Sequence, residues 1–327
     1  MAQRGDFGEF GLIRRYFDRP LRDRQVSAGI GDDAAIVGVT PGCELVLAVD
    51  MMVESRHFLP DADARALGHK ILAVNLSDVA AMGARPRWAL LAGALPAFDE
   101  RWLDAFTGGL FALADVHDVA LIGGDTTRGP RNLCLTIAGE VPVGQAVRRA
   151  GAKSGDDVWV SGTLGDAMLA LAALQETTVL DDIALARARQ RLESPTPRVA
   201  LGQALRGVAS AMIDVSDGLM SDLAHVLQAS RVGAVIELTR LPRSDALEGK
   251  LAGAERKLAL KWLLAGGDDY ELCFTAPPAR RNAIDALSNG VPLARIGSVT
   301  PDAGVLVVLD ESGTPLPALP RGFDHFA

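Results

Sequence analysis

One device recurs along this chain and limits what it can fold into: an apolar strand-like or helical run that delivers aspartate at a glycine-marked turn. It occurs at Asp32/Asp33, Asp50, Asp125, Asp214/Asp217 and Asp268/Asp269, with Asp78 supplied from a helical stretch. The runs alternate between strand-like and helix-like patterns in both halves, which requires α/β or α+β layers. A single Asp beside Gly is adequately explained as a turn residue. Six such sites, five of them at strand ends, call for more, because strand ends in α/β sheets converge on one edge and their side chains can share a cleft.

The longest helical pattern starts near Ala62, contains no proline after Pro60, and stops at Gly83. Leu67, Ile71, Val74 and Val79 recur near helical spacing and predict an apolar stripe. Asp78 follows Ile71 by seven residues and so points the same way, with Asn75 one turn below. A carboxylate beside an apolar seam must be paired, hydrogen-bonded or bound to a metal.

Elsewhere the pattern predicts a short helix at 7–17 and a buried strand at 44–49 ending on Asp50. A strand follows at 88–95 and a helix at 100–117. The strand 120–122 is expected to break into the turn Gly123-Gly124-Asp125-Thr126-Thr127, and 133–141 closes this half. A basic, glycine-containing segment at 147–155 marks a boundary between domains 1–148 and 149–327. The second half reads as a strand at 157–160, a turn at 161–166, helices to 174 and over 181–192 and 199–209, and a strand at 211–215. A helix to Ser230, a strand at 234–238, a helix at 255–264 and a strand at 271–275 complete it.

Composition narrows the chemistry. With 41 acidic against 33 basic residues and no basic face interleaved with aromatics, nucleic acid is excluded as a partner. No run of 18 uncharged apolar residues is present, so no membrane helix is expected. The three cysteines, Cys43, Cys134 and Cys273, lie far apart in apolar runs with no CxxC pair, and are expected as buried reduced thiols in a cytoplasmic protein. Clustered carboxylates repel unless divalent cations bind, and hard oxygen donors point to Mg²⁺ ahead of Mn²⁺ or Ca²⁺. Zinc is disfavoured, since the five histidines form no ligand pattern. Several Mg²⁺ ions suggest a polyphosphate substrate. The turn 161–166 and the pair Gly123-Gly124 are candidate phosphate cradles or merely tight turns. Arg148, Arg149 and Lys153 are the nearest cations, or a solvated linker. There is no GxxxxGK[ST] loop. The loose GxGxxA at Gly29–Ala34 runs into a strand-like segment where a dinucleotide site needs a helix.

Seven segments, in order and nearly end to end, resemble one family. They are GEFGLIRRYF from Gly8, GIGDDAA from Gly29, HKILAVNLSDVAAMGARP from His69, LIGGDTTRGP from Leu121, IDVSDGLMSDL from Ile213, GGDDYELCFT from Gly266 and GFDHFA from Gly322. Together they resemble the thiamine-monophosphate kinases of the aminoimidazole-ribonucleotide-synthetase-like superfamily. The resemblance implies a two-domain fold, with a ferredoxin-like N-terminal half that dimerises through its sheet and a C-terminal α/β half. It implies ATP-dependent phosphorylation of thiamine monophosphate with Mg²⁺. It also implies metal ligation by Asp33, Asp50, Asp78, Asp125, Asp214 and Asp217, ATP contact by Gly124, Asp125, Arg149 and Ser216, and substrate contact by His57, Asp268 and Phe323. Two departures stand out. Ala48 and Val49 replace hydroxyl residues frequent in the family, and Asp268 replaces a common Glu. Another ATP-using superfamily member, a metal-dependent phosphatase and a non-catalytic Mg-nucleotide sensor are the alternatives.

Overall fold

The computed structural model describes residues 8–20, 23–287 and 290–318. By internal contacts these divide into two units, one holding the described residues to 79 and 85–143, the other 80–84 and the described residues from 144 onward.

In the first unit, α1 (Glu9–Tyr16) precedes a small ladder of β1 (Val26–Ala28) and β2 (Ile36–Val37). There follow β3 (Cys43–Val53), α2 (Ala64–Ala81), β4 (Arg85–Leu95), α3 (Glu100–His117), β5 (Ala120–Arg128) and β6 (Asn132–Pro142). The larger sheet has the order β3-β6-β4-β5, antiparallel except for the parallel pair β4–β5. The chain thus runs βαβαββ through a four-stranded layer with two helices. Local chemistry explains the boundaries of α3. The Asp99 carboxylate accepts from the N–H groups of Arg101 and Trp102, and Asp118 closes the far end in a left-handed conformation.

Three expectations change here. Helix α2 forms as anticipated, but residues 70–77 are buried on every side rather than along one stripe. β3 does not end at Asp50. It pairs with β6 over its whole length, from Cys43 opposite Pro142 to Val53 opposite Asn132, so Asp50 lies inside the strand. Nor is β3 buried: Leu45, Leu47, Val49 and Met51 alternate along one face with exposures of 41, 66, 59 and 54 %. β3 is an edge strand of its sheet, and that open face is apolar.

The third change concerns Gly123-Gly124-Asp125-Thr126-Thr127, which forms no turn. β5 continues through it, with Gly124 opposite Leu91 and Asp125 opposite Ala92, after an irregularity in the ladder near Leu90. Gly124 adopts φ +147, and a Cβ there would fall 1.9 Å from the Leu91 carbonyl oxygen, so only glycine fits.

The second unit contains β7 (Asp157–Ser161), α4 (Asp166–Leu174), α5 (Asp182–Glu193), α6 (Val199–Ala204), β8 (Ala211–Asp214) and α7 (Leu219–Ser230). They are followed by β9 (Gly233–Glu237), α8 (Asp245–Ala252), α9 (Arg256–Ala265), β10 (Leu272–Ala276), α10 (Arg281–Asp285), β11 (Leu293–Thr300) and β12 (Leu306–Leu309). Its sheet has the order β12-β9-β11-β7-β10-β8, with only β12–β9 parallel. The core is built from the strands' Val158, Val160, Ile213 and Ile236 against Leu223 and Leu263 of the helices. Each such side chain contributes about 2 kcal/mol on burial. Among the described residues no helix is long and apolar enough to cross a membrane. Cys273 is buried as expected, whereas Cys43 and Cys134 are only half-buried, and all three are free thiols.

Candidate active site

The expected site residues fall into two groups, one on each unit. In the first unit, Asp33 sits in an exposed turn whose own N–H bonds the Asp32 Oδ1 at 2.9 Å. Asp50 and Asp125 lie on the two edge strands, with β6 and β4 between them. At about 4.8 Å per strand they are roughly 14 Å apart along the sheet. Register places Asp50 on the face of Leu135 and Leu91, and Asp125 on the opposite face with Cys134 and Ala92. One chain therefore does not bring these two carboxylates to a common ion. Of the two departures before Asp50, Ala48 shares its face and Val49 lies on the exposed one.

Asp78 is half-buried near the end of α2. One turn before it, Asn75 is fully buried; its Nδ2 donates to the Ile71 carbonyl at 2.9 Å, while Oδ1 is buried with no partner. His57 follows β3, and its Nδ1 accepts the Val53 N–H at 3.0 Å, which leaves Nε2 as the ring position able to donate.

The second unit supplies a tighter arrangement. Asp214 ends β8, and Ser216-Asp217-Gly218 leads into α7. The Asp222 Oδ2 accepts the N–H groups of Ser216, Asp217 and Gly218 at 3.0, 3.1 and 3.1 Å. Burial, together with the charges of Asp214 and Asp217, pushes the Asp222 carboxyl up to about 8 against the pull of those N–H bonds. Sequence reading gave Asp222 no role, although an acidic residue in the first turn after Ser-Asp-Gly is a signal for a side chain reaching back to the helix start. Arg149 is exposed on a segment whose carbonyl accepts from Ser230 Oγ at 3.2 Å.

The turn at 161–166 is not an open phosphate cradle. Gly162 N–H donates to the Pro292 carbonyl at 2.9 Å and Leu164 N–H to the Pro242 carbonyl at 3.0 Å. Gly165 N–H is taken by the Asp269 carboxylate. The helix N-terminus already has its acceptor, an internal carboxyl.

Asp268 and Tyr270 both adopt positive φ, 65 and 50. Asp tolerates the left-handed region, but Tyr there is a genuine outlier costing on the order of 1 kcal/mol or more. Backbone bonds to the residues just after β8 help hold this segment: Asp268 N–H donates to the Ser216 carbonyl at 2.9 Å, and Tyr270 N–H to the Val215 carbonyl at 2.8 Å. Phe323 lies outside the described residues.

Among the described residues, no three His, Cys, Asp or Glu side chains are grouped to hold a metal ion. The donor chemistry nonetheless suits a hard cation. All the candidates are carboxylates, the orphaned Asn75 Oδ1 lies one turn from Asp78, and the charges of Asp214 and Asp217 act on Asp222 with a repulsion that a divalent charge would relieve.

Residues 31–141 match the AIR synthase related protein, N-terminal domain, and residues 153–310 match the corresponding C-terminal domain. The fold is thus that of an AIR synthase related protein. The thiamine-monophosphate kinase of Salmonella typhimurium is 48 % identical over 325 residues, 98 % of each chain. The crystal structure of thiamine-monophosphate kinase from Stenotrophomonas maltophilia superposes with a TM-score of 0.84 at 48 % identity, covering 92 % of this chain and 96 % of that one. AaThiL complexed with AMPPCP and TMP superposes with a TM-score of 0.77 at 31 % identity, covering 100 % and 98 %. The chain belongs to the thiamine-monophosphate kinase family.

Proposed function

We propose that this protein phosphorylates thiamine monophosphate to thiamine diphosphate with ATP, by direct in-line transfer. The observation that carries the reading is full-length similarity, 48 % over 98 % of both chains, to a thiamine-monophosphate kinase. A relative complexed with AMPPCP and TMP supports ATP and thiamine monophosphate as the two substrates.

The acceptor is a phosphate oxygen whose second pKa is roughly 6, so it is mostly ionised near neutrality and needs no general base. The obstacle is repulsion between two anionic phosphates, and catalysis reduces to alignment and charge compensation. Several Mg²⁺ ions, shared out among Asp33, Asp50, Asp78, Asp125, Asp214 and Asp217, would supply most of that compensation. Arg149 adds a cation for the ATP phosphates, with Gly124, Asp125 and Ser216 completing the nucleotide contacts. His57, Asp268 and Phe323 contact thiamine monophosphate. In this reading residues 1–148 bind metal and nucleotide and form the dimer, and residues 149–327 complete the ATP and substrate site.

The homodimer reading is supported by the exposed stripe Leu45, Leu47, Val49 and Met51 on an edge strand, an apolar face suited to a second copy. A cytoplasmic location is supported by the three free thiols. Incubation with ATP, with and without thiamine monophosphate, tests the function. ADP and thiamine diphosphate should rise together only with both substrates, whereas phosphate release without thiamine monophosphate would make the protein a phosphatase.

A further inference from the structure

Glu271 is fully buried and immediately follows Tyr270. Arg198 grips it with two bonds, Nε to Oε2 at 2.7 Å and Nη2 to Oε1 at 2.6 Å. Arg191 of α5 adds Nη2 to Oε1 at 2.7 Å, and Ser161 Oγ donates to Oε2 at 2.5 Å. The same Arg191 Nη2 also reaches the carbonyls of Asp269 at 3.2 Å and Thr163 at 3.3 Å. The approach is close enough that a Cβ at Gly162 would lie 2.1 Å from Glu271 Oε1. Bidentate guanidinium–carboxylate pairs fix geometry as well as charge. Arg191 therefore holds the Asp269 carbonyl before Tyr270 and, together with Arg198, the Glu271 side chain after it, on either side of the residue whose left-handed conformation is least tolerated. Tyr270 in turn donates its hydroxyl to Asp268 Oδ1 at 2.8 Å.

We propose that Arg191 and Tyr270 are positioning residues: the Arg191/Arg198–Glu271 clamp holds Tyr270 in its strained conformation, and Tyr270 aims the Asp268 carboxylate at the thiamine monophosphate. The shorter Asp268 makes such aiming consequential, because it has less reach than Glu. This inference rests on the reading of Asp268 as a substrate contact. It adds a specificity role for residues that do not themselves touch substrate.

Steady-state kinetics of the full chain test it, with Asp268→Asn, Tyr270→Phe, Arg191→Met and the double variants of each with Asp268→Asn. Tyr270→Phe removes one hydroxyl and leaves the clamp whole, so it serves even if Arg191→Met folds poorly. The expected result is a rise of about fivefold in KM for thiamine monophosphate for Tyr270→Phe, with KM for ATP and the melting temperature unchanged. Arg191→Met should shift the same KM, Arg191→Lys should restore part of it, and neither change should add to Asp268→Asn in the doubles. If Asp268→Asn raises that KM but Tyr270→Phe leaves it unchanged or adds independently, the clamp proposal is overturned and the substrate site stands. If Asp268→Asn itself leaves KM unchanged, the Asp268 contact and the clamp fall together.

Discussion

The Asp269 carboxylate accepts the Gly165 N–H through both oxygens, at 3.0 and 2.8 Å, across more than a hundred residues of chain. This bond closes the N-terminus of α4 and ties the turn at 161–166 to the segment carrying Asp268. Burial pushes the Asp269 carboxyl well above the usual range, against the pull of that N–H and of Arg191. Asp269→Ala should cost roughly 2–4 kcal/mol, combining a lost cap with a buried cavity. Asp269→Asn keeps an acceptor without a buried charge and should cost clearly less. Urea midpoints for the two variants measure the difference, and equal losses would rule out the capping role.

Asp222 gives a pH dependence with a definite sign. Its folded value of about 8 lies above its unfolded value near 4. Its contribution is therefore fully present below about pH 4 and is lost as the pH rises through about 8. In metal-free protein, the stability of the parent relative to Asp222→Asn should fall across that window, and millimolar Mg²⁺ should flatten the fall. Melting curves at pH 5, 7 and 9 check it. A difference independent of pH would contradict the raised Asp222 carboxyl, which burial sets first and the charges of Asp214 and Asp217 second.

Gly124→Ala should unfold or severely weaken the first unit, by roughly 3 kcal/mol or more, because the new methyl meets the Leu91 carbonyl in a paired strand. Thermal melts read the effect. A variant of normal stability that merely binds ATP less well would show that β5 bends away there.

Leu47→Asp combined with Val49→Asp places two charges on the apolar stripe of β3. The parent should sediment as a dimer and the variant as a monomer, with the fold kept, since both positions face outward. Dimers in the variant would move the interface elsewhere.

Much of this was legible from spacing. Helix α3 begins and ends at the residues its pattern predicts, because Asp99 and Asp118 mark both ends locally. The family was legible from ordered motifs. What local pattern does not carry is long-range partnership. Asp50 reads as a strand terminus, yet β6 extends β3 three residues beyond it. Gly123-Gly124 reads as a turn, yet β4 approaches closely enough to make it strand. The turn at 161–166 looks like an anion site until Asp269 is found to fill it. Helix α8 was missed because Gly249 interrupts a short polar pattern, and β11 because Arg295, Gly297 and Ser298 break its apolar run. Arg191, Arg198 and Asp222 carry no motif of their own; only their partners give them a role.

Direct transfer is settled by following the γ-phosphate. Enzyme mixed with γ-labelled ATP, Mg²⁺ and thiamine monophosphate should place the label in thiamine diphosphate, one for each ADP formed, with none on the quenched protein at any time. Label trapped on the protein and then chased into product, or released as free phosphate without thiamine monophosphate, would contradict direct phosphorylation of thiamine monophosphate.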